Sequence, residues 1–176
     1  MTSLSSWGKY LVSVSQDEDL IVVYDYQKQE DYRHVSLRAL HKSGDTKLSP
    51  RGQKAEKPTY ALVFKDLVSQ RDLLLIATDG GTITCYDLDS KQFSQVISAN
   101  CPEKSKQLQQ HSLHLKQKSK INQILRLAPR DKASKNGNMF AAQSISNELV
   151  VFSVTVAMDV ESAGERHAIK YIQIQE

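Results

Sequence analysis

Three stretches of the chain alternate apolar and polar residues and finish on an aromatic: Asp19-Leu20-Ile21-Val22-Val23-Tyr24-Asp25, Gly81-Thr82-Ile83-Thr84-Cys85-Tyr86-Asp87 and Asn147-Glu148-Leu149-Val150-Val151-Phe152-Ser153. A period of two is the signature of a strand with one face turned to a core. Before each stretch come a short polar turn and another apolar run: Tyr10 to Val14, Leu73 to Ala77 and Met139 to Ala142. Asp79-Gly80 and Ser146-Asn147 tolerate the positive φ that tight hairpins require, so three hairpins are predicted. Outer strands follow at Arg33 to Leu40, Phe93 to Ile97 and His167 to Ile174, and inner strands precede at Tyr60 to Phe64 and Ile121 to Leu127. The predicted unit is a four-stranded antiparallel meander, present three times.

Internal repetition of this kind marks blade, solenoid or array architectures. Thr78 to Leu88 resembles the turn and third strand of the WD40 repeat, with Tyr86 where tryptophan is usual and Asp87 completing the dipeptide. Ile121-Asn122-Gln123-Ile124-Leu125-Arg126-Leu127-Ala128-Pro129 is similar to the family's inner strand and following turn, and Ser5 to Ser13 resembles the link into its second strand. The Gly-His dipeptide of strong repeats is absent, with Leu40-His41 the nearest approach, and the third copy ends in Phe152-Ser153. The resemblance implies an all-β fold, a partial WD40-like β-propeller over residues 1–176. Blade one would cover 1–40, blade two 59–97 and blade three 121–174. With Ser5 to Gly8 read as a turn, blade one would lack most of its inner strand. Propellers close with about four to eight blades, so the missing blades would come from the rest of a longer chain or from a partner.

Chemistry is sparse. No Gly-x-Ser-x-Gly elbow, phosphate loop, His-Glu-x-x-His or Cys-x-x-Cys occurs in the sequence, so no enzyme, cofactor or metal is expected. Asp17, Glu18 and Asp19 lack the spacing and glycine of a calcium loop and are expected to form a solvated turn. Cys101, His111 and His114 have no fourth ligand at zinc spacing, while Cys85 alternates inward as a core residue. Tyr86 is expected to pack between blades; Trp7 is open to either a core or a gripping role. Two unpaired cysteines and the absence of a span of about 20 apolar residues suit a nuclear or cytoplasmic protein with no membrane partner.

Charge alters the picture in one respect. Formal net charge is +3, yet segment His41 to Pro58 carries five basic residues against two acidic, and Ser98 to Lys120 five lysines against one glutamate. Tyr24 and Tyr86 are 62 residues apart and Tyr86 and Phe152 are 66 apart, against about forty in ordinary repeats of this kind. The excess length falls in two basic insertions, 41–58 (Lys42, Lys47, Arg51, Lys54, Lys57) and 98–120 (Lys104, Lys106, Lys116, Lys118, Lys120). Both are expected to join an outer strand to the next inner strand and so to emerge on one face. The second also carries helix signals after Asn100 and Pro102, with Leu108 and Leu115 on one side. A third insertion, Ala128 to Asn138, has no assigned role. The family resemblance implies a non-catalytic scaffold subunit of a eukaryotic multiprotein complex, with other protein subunits as partners. The basic face suggests the alternative, an RNA-associated propeller of an RNA-modification or ribosome-assembly complex; an acidic peptide would meet the same charge. Solvated loops without binding function would also account for the composition.

Overall fold

The computed structural model describes residues 3–28, 32–37, 56–66, 69–93, 112–114, 119–127, 138–158 and 169–175. All its regular elements are strands, arranged in three antiparallel sheets. The first sheet runs β1 (Ser3–Trp7), β2 (Tyr10–Ser15), β3 (Leu20–Asp25), β4 (Tyr32–Val35) in chain order. The second contains β5 (Pro58–Lys65), β6 (Asp72–Thr78), β7 (Thr82–Asp87) and β8 (Gln92–Phe93), with β9 (Ser112–His114) also pairing with β7. The third runs β10 (Ile121–Leu127), β11 (Met139–Ser144), β12 (Leu149–Met158), β13 (Ile169–Gln175).

Burial explains why the strands read as they do. In β3 buried and half-buried residues alternate, because among the described residues a neighbouring sheet packs on one face of the first sheet alone, whereas all six residues of β7 are buried. The second sheet lies between the other two and has no solvent face to polarise, the situation in which strands become continuous apolar runs. Val12, Val14, Ile21, Val23 and Val35 of the first sheet pack against Ala61, Val63, Leu74, Ile76 and Tyr86. The opposite face of the second sheet, with Leu62, Phe64, Leu73, Leu75 and Cys85, packs against Ile121, Ile124, Phe140, Val150 and Phe152. The first strands of the three sheets are neighbours, since the Ser5 hydroxyl donates to the Ala61 carbonyl at 2.6 Å and the Thr59 hydroxyl to that of Ile121 at 2.7 Å.

The expectation that the first sheet lacks most of its inner strand is corrected. Strand β1 pairs with β2 along its length, from Ser3↔Val14 to Trp7↔Tyr10. Its three serines and exposed Leu4 hide it from a hydrophobic pattern; serine serves here because Ser5 reaches a neighbouring backbone rather than an apolar core. The turn is only Gly8-Lys9, with Gly8 at φ +54°. A Gly8→Ala substitution meets nothing within contact distance, so its cost is the left-handed backbone alone, about 1–2 kcal/mol, measurable as a lowered urea midpoint.

Two other expectations change. The second sheet has five strands rather than four. Its outer edge is divided: β8 pairs with Tyr86 and Asp87, and β9 with Thr82, Ile83 and Thr84. Part of the second insertion, Ser112–His114, is therefore sheet edge and not helix, and the chain returns to β7 before entering β10; Leu108 and Leu115 lie outside the described residues. At the hairpins, positive φ falls on Asp19, Gly81 and Asn147, so Asp79-Gly80 shapes its turn through the following glycine.

Candidate interaction surfaces

Of the ten basic residues singled out, Lys42, Lys47, Arg51, Lys54, Lys104, Lys106, Lys116 and Lys118 lie outside the described residues. Lys57 and Lys120 are described, and both sit at the end of the molecule formed by the β2–β3 and β6–β7 turns. Asp79 accepts from the Lys57 backbone N–H at 2.8 Å and from Gln16 Nε2 at 3.4 Å, and Lys120 Nζ donates to Gln16 Oε1 at 3.4 Å. One short polar chain thus joins all three sheets. Asp19, in the acidic turn, is 6 % exposed and accepts from the Ser36 hydroxyl at 2.9 Å, so it braces the first sheet.

The opposite end repeats a motif that the sequence reading missed. A residue just before each second strand reaches toward the end of a third strand or the neighbouring sheet. Lys9 pairs with Asp25 at 2.8 Å and Arg71 with Asp87 at 2.7 Å. Each aspartate also caps the turn after its strand, through the N–H of Gln27 and of Asp89. In the third sheet Asn138 takes the cation's place and Ser153 the aspartate's. Freed from an ion pair, Asn138 donates to Asp66 of the second sheet and accepts from Arg126 Nη2 at 3.1 Å. The signal was the recurrence of Lys9, Arg71 and Asn138 one residue before a strand, which hydrophobic patterning ignores.

Arg126 in turn lies over the ring of Trp7, 4.8 Å from its centroid, which brings β10 and β1 together. Burial lowers the Arg126 pKa below its ordinary value and the Asp66 charge opposes the drop. Trp7 is therefore stacked against a cation while remaining 39 % exposed. Tyr86 is buried between the first and second sheets, edge-on to Phe93 at 4.9 Å. Cys85 is fully buried, and burial pushes its thiol up, away from the reactive thiolate. His114 is on strand β9, while Cys101 and His111 lie outside the described residues. Among the described residues no group of three or more His, Cys, Asp or Glu could hold a metal ion, and no helix is long and apolar enough to cross a membrane.

A pocket of about 90 Å³ opens between the first two sheets, lined by Lys9, Tyr10, Asp25, Arg33, Asp72 and Asp89 among others. That volume suits a few waters, well below the roughly 300 Å³ at which ligand pockets begin. Lys9, Tyr10, Asp25 and Asp72 are engaged with one another, whereas Arg33 Nη1 is buried without a hydrogen-bond partner among the described residues. The Asp25 contact holds Lys9 above its ordinary pKa, and although burial pushes the Asp25 carboxyl up, hydrogen bonds from Lys9 and the Gln27 N–H outweigh it and leave it lowered. Tyr10 donates to Asp72 at 2.7 Å; burial first, then this bond, push its phenol up to about 12. Because the folded value lies above the ordinary 10.0, Tyr10 contributes stability that is complete below pH 10 and lost as pH rises toward 12. The denaturation midpoint is expected to fall over that window, and Tyr10→Phe to flatten the fall. An unchanged slope in the variant would contradict the assignment.

The two outer faces of the stack are the remaining surfaces. Leu125, Met139, Leu149 and Val151 are exposed on the third sheet, and Leu4 and Leu11 on the first. No protein-family model matches the chain, and neither a curated protein nor a solved structure matches it.

Proposed function

We propose that the three sheets are consecutive blades of a WD40-like β-propeller and that the protein is a non-catalytic scaffold or adaptor subunit of a multiprotein complex, working in the nucleus or cytoplasm. One observation carries this reading. The four-stranded meander recurs with constant polarity: the face bearing Ile21, Val23 and Asp25 turns toward the second sheet, and the equivalent face with Ile83 and Cys85 turns toward the third. The aromatic face points the other way each time, Tyr86 toward the first sheet and Phe152 toward the second. A right-handedly twisted sheet stacked repeatedly in one sense is the construction principle of a propeller. Rigid stacked sheets present strand ends and connecting loops to partners.

The second reading, an RNA-associated propeller, is favoured by the placement of Lys57 and Lys120 at one end. Phosphate binding by such a face would be steeply salt-dependent. The two readings separate in a capture of the native complex at rising salt with cross-linking through lysines. The scaffold reading expects a defined protein subunit retained at 1 M salt, where screening reaches about 3 Å. Retention of RNA alone, lost with salt and on replacing Lys104, Lys106, Lys116, Lys118 and Lys120 together by alanine, would replace it with the second.

A further inference from the structure

The outer faces of the first and third sheets differ in kind, and the difference follows the same polarity. Register places Leu125↔Ala141↔Val151, Leu127↔Met139↔Ser153 and Gln143↔Leu149 on the outside of the third sheet. These positions are equivalent to those through which the first sheet contacts the second, Val12↔Val23 and Tyr10↔Asp25, and the second the third, Leu75↔Cys85 and Leu73↔Asp87. The outside of the first sheet carries Leu4↔Ser13↔Val22 and Ser6↔Leu11↔Tyr24. Tyr24 there holds the place of Tyr86 and Phe152, the aromatics that face the preceding sheet inside the stack. Among the described residues, no sheet packs on the donor face at one end of the stack or on the acceptor face at the other.

None of the named positions on either face is charged, in a chain in which 24% of residues are. On the third sheet Leu125, Leu149 and Val151 are 51%, 65% and 42% exposed. A solvated face of an antiparallel sheet is ordinarily polar, and apolar patches of this kind mark interaction sites.

We propose that a second copy of this chain covers both faces: the outer face of the third sheet in each copy packs on the outer face of the first sheet in the other. The inference rests on the blade reading. The joint continues the two sheet-to-sheet interfaces already present within the chain, with Tyr24 seated as Tyr86 and Phe152 are. Two copies related by a two-fold axis bring six sheets into a ring, within the four to eight at which such stacks close. Both described outer faces are then covered, whereas a joint that failed to close would propagate into a filament.

The test is the mass of the 176-residue chain in solution, by light scattering and native mass spectrometry, in wild type and two variants. Val151→Glu places a charge in the donor face and Leu11→Lys in the acceptor face; both sites are exposed in the single copy, and circular dichroism and melting check that each variant folds. Wild type is expected at twice the 19.8 kDa chain mass, and each variant alone at the single-chain mass. An equimolar mixture of the variants is expected to regain the double mass. One of its joints is then wild type on both sides, and the other sets the introduced lysine against the introduced glutamate. A single-chain mass for wild type, a larger assembly, a double mass that survives Leu11→Lys, or a mixture that stays at single-chain mass would each overturn the pairing. Any of these leaves the blade reading standing, since that depends on contacts inside one copy.

Discussion

Replacing Phe140 by alanine is expected to destabilise the protein by about 3–5 kcal/mol, the range for removing a buried phenylalanine. Phe140 is fully buried on β11, edge-on to Phe64 of the second sheet at 4.9 Å and stacked on Phe152 of β12 at 5.6 Å. These three rings form the joint between the second and third sheets, and neighbouring strands held in two ladders cannot collapse into the space a lost ring leaves. Against a total stability of roughly 5–15 kcal/mol, the loss is large enough to leave part of the population unfolded at 37 °C. Urea titration followed by circular dichroism measures it, and Phe140→Leu, which keeps most of the volume, should cost much less. A loss below about 1.5 kcal/mol for the alanine variant would mean that the two sheets do not meet through these rings.

The second large effect is electrostatic. Asp87 is 2 % exposed and accepts from Arg71, from the Ser90 hydroxyl at 2.7 Å and from the Asp89 N–H at 3.0 Å. Asp87→Ala removes the carboxylate that pairs with a guanidinium in a mostly buried site and uncaps the turn after β7. Breaking one side of a buried pair costs about 3–5 kcal/mol, and the partial exposure of Arg71 places this case near the lower end. Arg71→Ala alone should cost less, because the Ser90 hydroxyl and the Asp89 N–H still donate to the carboxylate, and the double variant should be milder than the sum of the two. Strict additivity in that cycle would show that the ion pair contributes no coupling.

The hydrophobic alternation located the strands well because most of them have at least one covered face. Strand β10 coincides with Ile121 to Leu127 as read from sequence, and β2, β6 and β11 contain the expected runs within a residue or two of their ends. Much of what was illegible rests on polar contacts that a hydrophobic pattern does not register. β1 is built on serines because Ser5 bonds a backbone carbonyl in the next sheet. β9 is three residues long and owes its place to the ladder with β7. The motif of Lys9, Arg71 and Asn138 depends on side chains meeting across a hairpin or, for Asn138, also across to the second sheet, which no single stretch of sequence displays. The basic insertions were legible as charge, but among their ten singled-out residues the described structure places only Lys57 and Lys120, both at one end.

The outer faces were half legible. Leu149, Val150, Val151 and Phe152 are apolar on both sides of β12, although among the described residues the third sheet packs against one neighbouring sheet. A strand with one covered face should alternate, and this one does not. The same holds in weaker form for Leu20, Val22 and Tyr24 on the far side of β3. On the proposed pairing of two copies, that excess of apolar residues at the two ends of the stack is the trace the joint leaves in the sequence.

The proposed scaffold function depends on the second sheet being sandwiched, with the first sheet on one face and the third on the other. Methyl-labelled NMR of the dilute chain tests this directly. Nuclear Overhauser contacts are expected from Leu74 and Ile76 to Val12, Val14 and Val23, and separately from Leu73 and Leu75 to Ile124, Val150 and Val154. If Leu73 and Leu75 instead showed contacts only within their own sheet, or if both residue sets met the same neighbour, the stack and the functional reading built on its polarity would be wrong.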